Sequence, residues 1–291
     1  MTDKTLHGFV ELTNEAYHAG PGISKSHTDS AAKSAQHYWK DYIDPSREPK
    51  ELTDEMRQGT LIHTVVLEPD TASSRYIMLP EDAPKRPTSA QLNAKKPSPE
   101  TIAAIDWWND FNAKSQGMEV IPKEWWDMAW ACRKAIFEEP SAAKILAQGQ
   151  PEQAIFATDP ETGLLLKCKP DWLRPGIMVD IKSTVDASPS EFFRTMGKRR
   201  YHIQHPFYTD VYKHAFGEKI DHFFYIAVEK TRPHNVGVYY LLPEQILQAR
   251  EQYRKDLRTI QEVRSGNGQY IGGYTAKSGP IAADIPHYFF K

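Results

Sequence analysis

Asp180 and Lys182 are separated by a single residue in the apolar run IMVDIKST. This run is typical of a β-strand, so both side chains should project from one face while Val179 and Ile181 point into the core. A carboxylate beside an ammonium group at the end of a strand suits cleavage of a phosphodiester bond. The carboxylate would hold a hard divalent cation, and the backbone carbonyl of Ile181 could add a further oxygen ligand. The lysine would position or deprotonate the attacking water.

Two more carboxylates should lie close to this pair. The DPETG turn separates the strand-like runs EQAIFAT and LLLKCKPDWL, which predicts a hairpin with Asp159 opposite Leu164 and paired residue numbers that sum to about 323. This register places Glu152 opposite Asp171, with Cβ atoms roughly 5 Å apart. Because the three carboxylates of Glu152, Asp171 and Asp180 would repel one another strongly, a bound cation is the natural explanation.

The elements around this hairpin follow from periodicity and capping signals. Thr53 is typical of an N-cap for a helix that contains His63 and ends at Leu67, before Pro69. Residues 81–100 are rich in Pro, Ser and Lys, which predicts an exposed, mobile loop. Further strands are expected in HFFYIAVEK and HNVGVYYLL. Further helices are expected over residues 23–42, 100–115, 122–138, 188–197, 202–215 and 243–264.

This order of helices, hairpin, strand, helices, strands and a last helix predicts an α/β core with an N-terminal helical elaboration. The 291 residues suit one large domain, and 40% hydrophobic with 25% charged residues is an ordinary globular composition. A formal net charge of −2 means that any nucleic-acid binding must depend on local basic patches. We find no apolar run long enough to cross a membrane and no signal peptide, so a cytoplasmic location is expected.

Several other kinds of site are disfavoured. The two cysteines, Cys132 and Cys168, exclude an iron–sulfur cluster held by four cysteines. A small-molecule hydrolase is a poor alternative, because the chain has no G-x-S-x-G elbow, P-loop or G-x-G-x-x-G motif. His202 and His205 could suggest zinc, but no further ligands at suitable spacing support it.

Taken together, the motifs resemble a known family. PDW and VDIKST resemble the PD-(D/E)XK nuclease signature, and GTLIHTVVLEP resembles the G-x-x-x-H helix motif of its RecB-like branch. The segment from Gln204 to Tyr208 fits the Q-x-x-x-Y motif of that branch. With GISKS near the start and YHIQHPFYTDVY later, the chain looks most like RecE, the exodeoxyribonuclease VIII family. This resemblance runs from about Gly22 to the C-terminal helix.

The resemblance implies a restriction-endonuclease-like core, with a central mixed sheet flanked by helices. Residues 1–291 would form a single nuclease domain, mainly helical over 1–145 and with the catalytic sheet core in 146–291. The cofactor would be Mg²⁺, with Mn²⁺ able to substitute. The implied roles are His63 near the metal, Asp171 and Asp180 as metal carboxylates, Lys182 as the catalytic lysine, and Gln204 and Tyr208 as supports of the site or DNA contacts.

The activity implied by the resemblance is processive 5′→3′ degradation of linear double-stranded DNA, which leaves 3′ single-stranded tails. The subunits would form a ring, expected to be a tetramer, and a single-strand annealing protein of the RecT type would receive the tail. Two alternatives remain open: a DNA endonuclease of the same fold, and a non-catalytic DNA-binding or scaffold protein.

Several residues are candidates for DNA binding. Basic residues before the Gln204 helix could hold backbone phosphates, residues near a helix start could bind a terminal phosphate, and a residue of the 81–100 loop could reach over the duplex. The basic residues before the Gln204 helix are Lys198, Arg199 and Arg200. Those near the helix start are Ser24, Lys25 and Ser26, and the loop residue is Arg86. The tryptophans at 107, 108, 125, 126 and 130 are expected in the core or a subunit interface rather than as base-stacking platforms.

Overall fold

The computed structural model describes residues 6–48, 51–266, 274 and 279–284. The helices within these residues are α1 (Asn14–Ala19), α2 (Lys25–Lys33), α3 (Ala35–Tyr42), α4 (Asp54–Leu67), α5 (Pro69–Arg75), α6 (Ser89–Leu92), α7 (Pro99–Lys114), α8 (Lys123–Glu138), α9 (Pro140–Leu146), α10 (Pro189–Lys198), α11 (Gln204–Phe216) and α12 (Pro243–Ser265). The strands are β1 (Gly8–Phe9), β2 (Tyr76–Met78), β3 (Glu119–Ile121), β4 (Gln150–Pro151), β5 (Ile155–Thr158), β6 (Leu165–Cys168), β7 (Trp172–Arg174), β8 (Ile177–Thr184), β9 (His222–Glu229) and β10 (Val236–Tyr239).

The central sheet has the strand order β10-β9-β8-β7-β4. β8 and β9 are parallel and the other neighbouring pairs are antiparallel, so the sheet is mixed. The hairpin β5–β6 forms a smaller antiparallel sheet with β1, and β2 pairs with β3 in parallel. The predicted α/β class, with a mixed sheet flanked by helices, is confirmed.

Apolar side chains cover both faces of the central sheet. On one face Val179 and Ile181 pack with buried residues of α4, α8 and α9. On the other face Met178 and Tyr225 pack with buried residues of α10, α11 and α12. The predicted alternation along β8 is confirmed, because successive residues of a strand point to opposite faces.

Helix α4 matches its predicted bounds. The hydroxyl of Thr53 accepts a hydrogen bond from the backbone N–H of Met56, and Asp54 and Glu55 place negative charge in the first turn. The helix ends at Leu67, and Pro69 begins α5 instead of extending α4.

One predicted strand is interrupted at the residues that matter for chemistry. The run LLLKCKPDWL is divided into β6 and β7, with Lys169, Pro170 and Asp171 between them. Pro170 has no N–H to donate to the neighbouring strand. Glu152, which lies opposite Asp171, adopts a left-handed φ of 54°, so regular pairing stops here. The register nevertheless continues across the gap, because Ile155 pairs with Cys168 and Gln150 pairs with Leu173.

Two other expectations need correction. The helical stretch over 23–42 is divided into α2 and α3 at Ser34, whose hydroxyl accepts from the backbone N–H of His37 and so starts a new helix. The predicted loop over 81–100 is largely exposed but contains α6, which Thr88 and Gln91 cap reciprocally. In the described part of the chain, no helix is both long and apolar enough to span a membrane.

Candidate active site

Asp180 and Lys182 lie together on β8, as their spacing predicts. Asp180 is 3% exposed, and its Oδ2 forms an ion pair with Nζ of Lys182. Burial of the Asp180 carboxyl raises its pKa above the ordinary value, and the nearby charge of Asp171 adds to this, against the charge of Lys182. Burial would lower the pKa of Lys182, but the charges of the two aspartates raise it, so the ammonium group stays charged at neutral pH.

Asp171 connects the hairpin to β8. Its Oδ2 accepts a hydrogen bond from the backbone N–H of Ile181 at 2.5 Å. The N–H and C=O of one strand residue face the same edge, so the Ile181 carbonyl also faces this side of β8. Burial would raise the pKa of Asp171, but the charges of His63 and Lys182 lower it. The carboxylate is therefore held in its ionised form.

Glu152 lies opposite Asp171, as the hairpin register predicts. Its backbone N–H donates to the carbonyl of Asp171 at 3.2 Å. Burial raises the pKa of the Glu152 carboxyl, and repulsion by the Asp171 charge raises it further, against the charge of Lys169. A nearby cation would therefore stabilise the ionised form of this third carboxylate.

His63 reaches the same point from α4, although it is far away in sequence. Its Nδ1 lies 3.4 Å from Oδ1 of Asp171, and its side chain is 28% exposed. Burial would lower the pKa of His63, but the charge of Asp171 and a hydrogen bond to it raise this pKa to about 9. Without a metal, the imidazole therefore carries the positive charge that the carboxylates attract.

A divalent cation fits this arrangement. In the described residues, one group of three potential ligands has donor atoms that all lie within 4.8 Å of one another, and it consists of His63, Glu152 and Asp171. Carboxylate oxygens and an imidazole nitrogen suit hard or borderline divalent ions. Asp180, a predicted metal ligand, lies beside this group, and its carboxylate contacts Lys182 instead.

Gln204 supports the carboxylate of Asp180. It is 7% exposed, and its Nε2 donates to Oδ1 of Asp180 at 2.5 Å. Tyr208 follows one turn later on α11, and burial raises the pKa of its hydroxyl well above the ordinary value. The predicted motif therefore lies in the site, and whether these residues also contact DNA stays a prediction.

Three side chains around the site were missed from the sequence. Lys169 forms an ion pair with Glu152 and donates to Oδ1 of Asn14, the first residue of α1. The ring of Tyr201 lies 4.6 Å from Nζ of Lys182, in a cation–π contact. Of these three, only Lys169 could have been identified from the sequence, because it lies two residues before Asp171. Asn14 and Tyr201 reach the site through tertiary packing.

Two segments predicted to bind DNA meet beside the site. Nζ of Lys25 donates to the backbone carbonyl of Arg199 at 3.0 Å and lies 5.7 Å from the centre of the Tyr201 ring. The Ser24 and Ser26 hydroxyls are 2.9 Å apart at the start of α2. The candidate phosphate-binding residues of α2 are thus close to those that follow α10.

The basic residues at the end of α10 and just after it differ in how far other side chains engage them. Lys198 and Arg199 are exposed and line an open cleft of about 760 Å³ together with Ser183 and Tyr201. Arg200 is held by an ion pair to Asp256 at 2.6 Å and by a longer one to Asp29, so its guanidinium is already engaged within the protein.

Arg86 lies in the loop before α6, and the tryptophans lie on α7 and α8. The Arg86 guanidinium lies 4.5 Å from the ring centre of Trp108, whose indole N–H donates to the carbonyl of Pro84 at 3.0 Å. The tryptophans at 107, 108, 125 and 126 are half-buried, whereas Trp130 is 37% exposed. A subunit interface at these residues stays a prediction.

Comparisons with known proteins support the fold described above. A family described as a PDDEXK-like domain of unknown function (DUF3799) matches residues 24–271. A crystal structure described as "Putative exonuclease" from Eubacterium rectale has a TM-score of 0.56 at 16% identity, and the match covers 97% of this chain and 98% of that chain. At this identity the likeness shows a shared fold. No curated protein matches the chain in sequence. Because the family match spans most of the chain and includes His63, Asp171, Asp180 and Lys182, the protein belongs to the family of PDDEXK-like domains.

Proposed function

We propose that the protein is a metal-dependent exodeoxyribonuclease that degrades linear double-stranded DNA in the 5′→3′ direction and leaves 3′ single-stranded tails. The observation that carries the proposal is the convergence of His63, Glu152 and Asp171 beside the Asp180–Lys182 pair. Tyr201, whose ring contacts Lys182, also lines an open cleft that carries both basic and acidic side chains, with Lys198 and Arg199 exposed among them. A metal site with exposed basic side chains nearby is suited to cleavage of a phosphate backbone.

His63, Glu152 and Asp171 would hold a divalent cation, with Asp180 and the Ile181 carbonyl as nearby oxygen donors. We propose Mg²⁺ as the physiological ion and Mn²⁺ as a substitute, because carboxylate oxygens suit both. When bound, the cation would polarise the scissile phosphate and lower the pKa of a coordinated water.

The protein's own groups would then position the reactants. Asp180 holds the ammonium group of Lys182, and Gln204 holds Asp180 in turn. Without a metal, burial would lower the pKa of Lys182, but the charges of Asp180 and Asp171 raise it, so the ammonium group is a charged hydrogen-bond donor. It would therefore orient the attacking water and stabilise negative charge on the phosphate oxygens.

DNA would lie in the cleft next to β8. Lys198 and Arg199 would contact the phosphates of the backbone, and Ser24, Lys25 and Ser26 could bind a terminal phosphate. Contacts with phosphates give affinity without sequence preference, which suits an enzyme that moves along any duplex. Roles for Arg86 and Arg200 in DNA binding are also proposed, with Arg200 required to exchange its carboxylate partners for phosphate.

The finer parts of the proposal depend on the resemblance to RecE. They are the 5′→3′ direction, a tetrameric ring and transfer of the tail to a RecT-type annealing protein. We also propose that residues 1–291 act as a single nuclease domain, since α4 and α8 of the first half pack on the sheet of the second half.

A degradation assay tests the activity and its direction together. Linear duplex DNA labelled at either the 5′ or the 3′ end is incubated with the protein in Mg²⁺ or in EDTA, with a closed circle as control. Early release of the 5′ label, an intact circle and no activity in EDTA are expected. Cleavage of the circle would instead indicate an endonuclease.

Asp171→Asn is the matched inactive variant, since it keeps the side-chain shape but removes the charge that faces His63. We expect it to bind DNA without degrading it. If the wild-type protein bound DNA but degraded no substrate, the non-catalytic scaffold alternative would be favoured.

A further inference from the structure

The ammonium group of Lys169 is largely buried beside the candidate metal site. Its side chain is 12% exposed, and its Nζ forms an ion pair with Oε2 of Glu152, whose side chain is 19% exposed. Glu152 is at the same time one of the three potential metal ligands. One carboxylate thus faces the ammonium of Lys169 and the metal-binding group together.

The ammonium group of Lys169 is fixed from the N-terminal side of the chain. Oδ1 of Asn14 accepts a hydrogen bond from it, and the ring centre of Tyr17 lies 5.4 Å away. Tyr17 is itself 5% exposed, and its carbonyl accepts a hydrogen bond from the buried Lys167 at 2.6 Å. The contacts hold α1 against the site, so Lys169 cannot move away from Glu152 without leaving its other partners.

The charges of the site limit how many metal ions it can accept. The carboxylates of Glu152, Asp171 and Asp180 are accompanied by the ammonium groups of Lys169 and Lys182, which leaves one net negative charge when His63 is neutral. One divalent cation reverses this charge. A second divalent cation would add to the repulsion, and it would have to compete with Lys169 for Glu152.

We propose that Lys169 supplies at Glu152 the positive charge that a second metal ion would otherwise supply, so that the protein without DNA binds a single divalent cation. The inference rests on the proposed metal site at His63, Glu152 and Asp171. It assigns a function to a residue outside the PD-(D/E)XK signature and gives α1 a part in setting the charge of the active site.

The number of bound Mn²⁺ ions tests this proposal. Free Mn²⁺ is followed by its electron paramagnetic resonance signal during titration of the full chain, without DNA. We expect about one bound ion for the wild-type protein and about two for Lys169→Met, which removes the charge but keeps a long side chain. Lys169→Arg keeps the charge and should bind about one ion. Lys114→Met, which removes an exposed lysine at the end of α7, should also bind about one.

Two ions in the wild-type protein, or a single ion in a Lys169→Met variant that melts cooperatively, would overturn the inference. If Lys169→Met does not fold, Lys169→Gln replaces it, because the amide can still contact Asn14. The degradation assay on the same wild-type sample separates the two proposals. If the wild-type protein binds a single Mn²⁺ ion but has no nuclease activity, only the proposed function is refuted. If it is an active nuclease that binds two ions, only this inference is refuted.

Discussion

The proton on His63 gives the metal-free site a measurable effect on stability. The Asp171 charge outweighs burial and raises the pKa of His63 from the ordinary 6.5 to about 9. Between these values the folded protein binds a proton that the unfolded chain releases, so unfolding becomes easier as pH rises. The stabilisation is complete below about pH 6.5 and is lost as the pH rises through about 9.

The difference between these pKa values sets the size of the effect. At about 1.4 kcal/mol per pH unit, it corresponds to about 3 kcal/mol of unfolding free energy. The His63 side chain is 28% exposed, so solvent screening makes this figure an upper bound. At roughly 2 °C per kcal/mol for a chain of this size, the melting temperature should fall by up to about 6 °C.

The assay is thermal or urea unfolding in EDTA at about pH 6, 7.5 and 9. His63→Gln should remove the loss of unfolding free energy with rising pH, because glutamine has no proton to release in this range. His222→Gln is the matched control, since His222 is exposed at the start of β9 and its replacement should leave the loss unchanged. Saturating Mn²⁺ should also reduce the loss in the wild-type protein, because the cation replaces the proton.

Calorimetry in buffers of different ionisation enthalpy should show that Mn²⁺ binding below about pH 9 releases a proton in the wild-type protein. An equal loss of stability in the wild-type protein and in His63→Gln between pH 6.5 and 9 would refute this role of the His63 proton.

Three further predictions concern the neighbouring side chains. Lys182→Ala should bind DNA normally, as measured by anisotropy, but its cleavage rate, measured by label release, should fall by a factor of at least about 100. Retained cleavage would contradict the role assigned to Lys182. Gln204→Leu should lower the unfolding free energy by about 1–3 kcal/mol in urea, because Oδ1 of Asp180 loses its buried donor; an unchanged midpoint would refute that contact. Replacing both Lys198 and Arg199 with alanine should weaken DNA binding and reduce the slope of log affinity against log salt by about 2, and an unchanged slope would place the duplex elsewhere.

Local rules were enough to predict part of the site. Strand periodicity placed Asp180 and Lys182 on one face of β8, with Val179 and Ile181 on the other, because side chains alternate along a strand. The DPETG turn set the hairpin register, and this register alone placed Glu152 opposite Asp171.

The interruption of the hairpin was not predicted, although Pro170 was visible in the sequence. A left-handed backbone at Glu152 is rare for a residue other than glycine, and no local pattern indicates it. This interruption separates β6 from β7 and leaves Glu152 and Asp171 outside regular strands.

The sequence by itself determined the strand that carries Asp180 and Lys182, the hairpin register and the bounds of α4, because all three depend on neighbours along the chain. Only the tertiary structure decided that His63 lies 3.4 Å from Asp171, that Lys169 pairs with Glu152 and that Arg200 is engaged by Asp256. The partners in the first and last of these pairs are distant in sequence. They meet only because helices from both ends of the chain pack around one sheet, and periodicity along the chain does not specify how those helices are placed.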